Sequence, residues 1–208
     1  MRTIATLALL LPLALAGCGK EVVVGGQKDV DTYATGDGTP EASPSRAPAH
    51  ALAPGGAGPR TTHIAGRAQG TITFDAKVSL VANGGAPQPV NTAPASATVR
   101  VDGDDTTFVA SGRVPATRYT AARVVFTQVR ANVTGGLVIG GVNLTGEVRV
   151  AIAAGDSIVV EVPLALDADT DDTLLVDLDA SAWLPTANPA TRLVTAAAFR
   201  NAVKVRKR

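Results

Sequence analysis

Thr71-Ile72-Thr73-Phe74-Asp75-Ala76-Lys77-Val78-Ser79-Leu80 is the stretch that decides the fold. Ile72, Phe74, Ala76, Val78 and Leu80 fall at every second position, with polar residues between them. That period of two puts all five side chains on one face of a β-strand, whereas a helix would need apolar spacings of three and four. The run is therefore a half-buried strand with a wet outer face. Asn83-Gly84-Gly85-Ala86-Pro87 follows it with turn-forming residues.

The same alternation continues toward the C-terminus. Ala97, Val99 and Val101 form one strand face, and Asp102-Gly103-Asp104-Asp105 ends that strand. Phe108 to Ala110 begins another. Arg123 to Val133 predicts a longer strand, in which Val124-Val125-Phe126 marks burial on both faces or a bulge. Gly135-Gly136 turns the chain. Val142, Leu144, Val148, Val150 and Ile152 share a face, Gly155-Asp156 turns again, and Ile158, Val160, Val162, Leu164 and Leu166 give the next inward face. Pro163 has no N–H, so that strand reads as a sheet edge or a bulge. Leu174, Val176 and Leu178 alternate with Leu175, Asp177 and Asp179. Asn188-Pro189 fits a helix start running through Ala198, with a strand as the alternative, and Val203 and Val205 close the chain as a strand.

Roughly seven to nine short strands with frequent turn signals, and no alternation of strands with long helices, predict an all-β fold. The expectation is an antiparallel β-sandwich over residues 61–208, immunoglobulin-like or transthyretin-like, preceded by a linker over residues 18–60. From Gly25 to about Arg60 the chain is rich in Gly, Pro, Ala, Ser and Thr, with neither period present. Such composition does not bury enough apolar surface to offset its ordering entropy, so the segment reads as a disordered spacer.

Before it lies an export-type start. Arg2 precedes an apolar run from Ile4 to Leu15, too short for a permanent membrane span, and Leu15-Ala16-Gly17-Cys18 closes that run. Cys18 is the only cysteine, so it has no disulfide partner in the chain. The segment resembles the lipobox of bacterial lipoproteins. That resemblance implies a signal peptide over residues 1–17, acylation of Cys18 as the first mature residue, and attachment to the cell envelope. Gly19, standing where an aspartate would favour the inner membrane, implies the outer membrane. Farther along, Tyr119-Thr120-Ala121-Ala122-Arg123-Val124-Val125-Phe126 and Asp172-Thr173-Leu174-Leu175-Val176-Asp177-Leu178-Asp179-Ala180-Ser181 are similar to parts of a bacterial lipoprotein β-domain family of unknown function. This supports a β-domain in the envelope and implies no catalytic residue.

The net charge of +1 argues against nucleic acid as a partner, because phosphate binding needs clustered excess cations. A Ser-His-Asp triad needs a histidine on a rigid scaffold, whereas His50 lies in the linker and His63 at its boundary. The glycine-rich 135–141 segment lacks the Gly-Lys-Ser/Thr ending of a phosphate loop and reads as β-turns. The sequence favours a non-enzymatic binding or structural module whose partner is an envelope protein or glycan. An envelope hydrolase or carbohydrate-binding accessory domain is the alternative. Two local candidates accompany this reading. Asp167, Asp169, Asp171 and Asp172 could direct oxygens to a weakly held calcium ion, or form a solvated acidic turn that discourages edge pairing. Trp183 could be a stacking platform for a ligand, or a core residue.

Overall fold

The computed structural model describes residues 26–36, 68–102 and 106–208. The signal-like segment and Cys18 lie outside them. Two sheets pack face to face around a shared apolar core, giving an all-β sandwich.

The first sheet holds four strands: β1 (Gln27–Thr35), β5 (Thr107–Pro115), β11 (Asp172–Asp177) and β13 (Lys204–Lys207), in the order β13-β11-β1-β5. The second is built on β2 (Gln69–Val81) and β6 (Tyr119–Gly135), which pair antiparallel along almost their whole lengths. β3 (Gln88–Pro89) and β4 (Ala95–Arg100) share the outer edge of β2, while β9 (Gly146–Val150) and β10 (Ile158–Leu166) share the far edge of β6. A small hairpin joins β7 (Val138–Ile139) to β8 (Val142–Asn143). Gly140 and Gly141 both have positive φ, +57° and +81°, so the reading of this glycine run as a tight turn holds.

β2 has the expected alternation: Ile72, Phe74, Ala76, Val78 and Leu80 are all buried, with their polar neighbours half-exposed. Each of the larger side chains contributes on the order of 1.5–3 kcal/mol by leaving water. Where β2 has no strand neighbour between β3 and β4, Asn91 takes that place. Its Oδ1 accepts from Val78 N at 2.7 Å and its Nδ2 donates to Ala76 O at 3.0 Å. The bulge in β6 falls at Thr127 and Gln128, which are both exposed, just past the Val124-Val125-Phe126 run. Pro163 sits in β10, an edge strand, and the pairing register with β6 shifts beyond it.

Four expectations need correction. β1 lies inside the stretch read as spacer, yet it occupies an interior position of the first sheet, parallel to β11 and antiparallel to β5. Val30 and Ala34 are fully buried, and only two apolar residues at that spacing, among Gly, Asp and Thr, are too few to signal a strand locally. The rest of the predicted linker, residues 18–25 and 37–60, lies outside the described residues. The pairings are not all antiparallel, since β1–β11 and β12 (Leu193–Val194) with β9 run parallel. β11 does not alternate: Leu174, Leu175, Val176 and Asp177 are all buried, because strands flank it on both sides and its two faces are covered. Finally, the helix after residue 188 starts later. Asn188 Oδ1 accepts from the N–H groups of Ala190 and Thr191 to make a turn, and α2 (Ala196–Ala202) is capped by Thr195, whose side chain accepts from Ala198 N at 3.2 Å.

Candidate functional site

β1 and β11 place a lysine and an aspartate together at one end of the first sheet. The parallel register sets Val30 beside Asp172, so Lys28, two residues earlier on the same face, reaches the Asp172 carboxylate. Lys28 Nζ donates to Asp172 Oδ2 at 2.6 Å, and the two side chains are 3% and 0% exposed. The same ammonium donates to Asp167 O and stands 5.3 Å from the centroid of the Tyr119 ring. Lys207, from β13, brings its Nζ to 2.6 Å from Asp172 Oδ1. A buried carboxylate is thus held between two cations, and the dry surroundings make each partner depend on the others.

Two groups at this end of the sheet are shifted. The contact with Asp172 raises Lys207 above the ordinary lysine range. Burial raises the Tyr119 phenol, whose hydroxyl donates to Pro115 O at 2.8 Å.

The four candidate calcium ligands are not gathered. Asp172 turns into the sheet and spends both oxygens on lysines. Asp171 Oδ1 accepts from Asp29 N at 2.9 Å, and Asp167 Oδ1 lies 3.8 Å from Arg118. Among the described residues no three His, Cys, Asp or Glu side chains form a metal-holding group. Within the sequence the 156–179 stretch has no basic residue, but Lys28, Arg118 and Lys207 arrive from other elements and answer its charge.

Trp183, in a short helical turn α1 (Ala180–Trp183), is fully buried, which removes it as a ligand platform. It heads a chain of edge-to-face rings: Trp183 to Phe199 at 5.5 Å, Phe199 to Phe126 at 5.2 Å, and Phe126 to Phe74 at 5.8 Å. With so few aromatics in the chain, three of its four phenylalanines and its one tryptophan serve this stack. The indole Nε1 has no hydrogen-bond partner among the described residues.

A second feature was not legible from sequence. Where the far edge of β6 passes from β10 to β9, Thr127, Gln128, Val129, Arg130, Arg149 and Ile152 line an open groove of about 220 Å³. Such a volume falls below that of ordinary small-molecule pockets and suits one polar group of a larger partner. Arg130 and Arg149 are directly opposite across the β6–β9 pair, an unfavourable like-charge placement. Glu147 lies 2.8 Å from Arg149, and Arg130 donates to Gln128 at 3.4 Å. The pair of guanidinium groups beside an open groove suits a carboxylate or a hydroxyl-rich ligand. Only the register, which no local pattern announces, brings the two arginines together.

Comparison with protein-family models, curated proteins and solved structures finds no match for this chain.

Proposed function

We propose that the protein is a lipid-anchored component of the bacterial cell envelope, held at the outer membrane through Cys18, whose β-sandwich binds an envelope glycan or protein without transforming it. The lipobox-like segment supports the anchoring. The observation that carries the binding role is the open groove beside Arg130 and Arg149, whose exposed guanidinium groups stand opposite each other with Glu147 beside Arg149. In the other strong polar constellation Lys28 and Asp172 are buried, Lys207 reaches Asp172 from the surface, and all three are spent on joining strands.

Purified peptidoglycan sacculi, which carry carboxylates and hydroxyls, are the probe. The full-length protein should sediment with sacculi and leave them intact. Arg130→Ala with Arg149→Ala should reduce that sedimentation several-fold without lowering the melting temperature. Sedimentation unaffected by the double change would remove the groove from the reading, and release of soluble fragments would favour the hydrolase alternative. Cys18→Ser should separately abolish lipid labelling and membrane association.

A further inference from the structure

We infer that the end of the sandwich carrying the start of β1 faces the lipid bilayer at close range, and that the Gly/Pro-rich segment after β1 adds no distance between anchor and domain. This inference rests on the acylation of Cys18. Nine residue steps separate Cys18 from Gln27. Even fully extended they span only about 30 Å at ~3.3–3.6 Å per residue. β1 is an interior strand, so the domain begins where that tether ends.

The attachment end is defined by pairing. Gln27 pairs with Pro115, and Ala116 N donates to Gly26 O at 2.7 Å, which places the 116–118 turn beside the tether. Arg118 in that turn lies beside Asp167, so the 167–171 loop belongs to the same end, and Arg208 N donates to Thr173 O there. The opposite end carries the β7–β8 hairpin, beyond the last residue of the 17-residue strand β6. At about 3.3 Å per residue, β6 measures roughly 50 Å from end to end. A tether of about 30 Å does not let the domain stand with the hairpin end on the membrane and the β1 end about 50 Å away from it.

The 31 residues from 37 to 67 are not a spacer in this geometry. Their two flanks meet at the far end of the sandwich. A Cβ on Gly36 would lie 3.2 Å from Ile72 Cδ1 and 2.5 Å from Arg100 O, and Val101 N donates to Gly70 O at 3.0 Å. The described residues on its two sides lie at the same place, so the length of the segment does not separate the anchor from the domain.

Charge at this end does not oppose the orientation: Arg113 and Arg118 are answered by Asp29 and Asp167, and Arg206 and Arg208 of the C-terminal strand lie at the same end, where an anionic lipid surface would attract them. The short tether limits the reach from that end, so tether length is the variable to test.

The experiment uses full-length acylated protein in phosphatidylethanolamine/phosphatidylglycerol liposomes with headgroup quenchers. Fluorophores are placed at Thr117→Cys, in the exposed turn, or Val138→Cys, at a side chain 57% exposed on the hairpin. Quenching should be several-fold stronger at 117 than at 138. A Gly/Ser insert of roughly twenty residues after Gly25, adding on the order of 25 Å of reach, should weaken quenching at 117, while the same insert after Pro54 should leave it unchanged. Equal quenching at both positions, or sensitivity to the insert after Pro54 alone, overturns the inference. Protein that fails to float with the liposomes overturns the anchor and the orientation together, which separates the two failures.

Discussion

Lys28 Nζ and Asp172 Oδ2 meet at 2.6 Å across 144 positions of sequence, joining the first strand of the domain to one of its last. Removing either partner leaves the other buried with incomplete compensation, a loss of about 3–5 kcal/mol. Lys28→Met and Asp172→Leu should each lower the free energy of urea unfolding by that order. The double variant should lose much less than the sum, since an apolar pair leaves no stranded charge. Additive losses would show that the two side chains act independently.

Stability should also fall on the alkaline side. Lys207 has a folded pKa raised above its unfolded one, so its contribution is complete below about pH 10 and disappears as pH rises through the folded value. Tyr119 acts in the same direction, because the unfolded phenol ionises near pH 10 while burial keeps the folded one neutral to higher pH. The melting temperature should drop as pH rises above about 10, and Lys207→Gln combined with Tyr119→Phe should flatten that drop relative to each protein's own value at pH 8. Parallel curves for the two proteins would refute the assignment.

At Trp183 the ring stack and the unpartnered indole N–H pull in opposite directions. Trp183→Ala should cost about 3–5 kcal/mol through the cavity it leaves. Trp183→Phe keeps an aromatic ring against Phe199 and removes the buried donor, so it should cost less than half as much. Equal losses in thermal melts would mean that the volume of the indole, rather than the ring contact, matters at this position.

Limited proteolysis tests the placement of β1. Trypsin should cut at Arg46 or Arg60, within the segment whose composition predicts accessible backbone, and spare Lys28, which is buried in the sheet. The fragment carrying β1 should then co-elute with the rest of the domain under native conditions and separate only in denaturant. Early cleavage after Lys28 would place β1 outside the sheet.

The strands β2, β4, β10 and β13 were legible in the residues because a strand with one wet face writes its burial as a period of two. The edge position of Pro163 followed from its missing N–H, and the turn at Gly140-Gly141 from residues that tolerate positive φ. Those are local properties, and sequence by itself determines them. β1 escapes the sequence, and so does the burial of both faces of β11, itself read as a strand, for the opposite reason. Their state depends on neighbours far along the chain, which bury Lys28 and Asp177 as well as valine and leucine, so residue type no longer reports burial. The candidate sites divide in the same way. An aspartate run looks like a metal site until tertiary contacts bring Lys28, Lys207 and Arg118 to it, and the Arg130–Arg149 groove exists only once the β6–β9 register is formed. Periodicity encodes which face is wet, whereas charge pairing and strand order are set by non-local contacts that only the assembled sandwich makes.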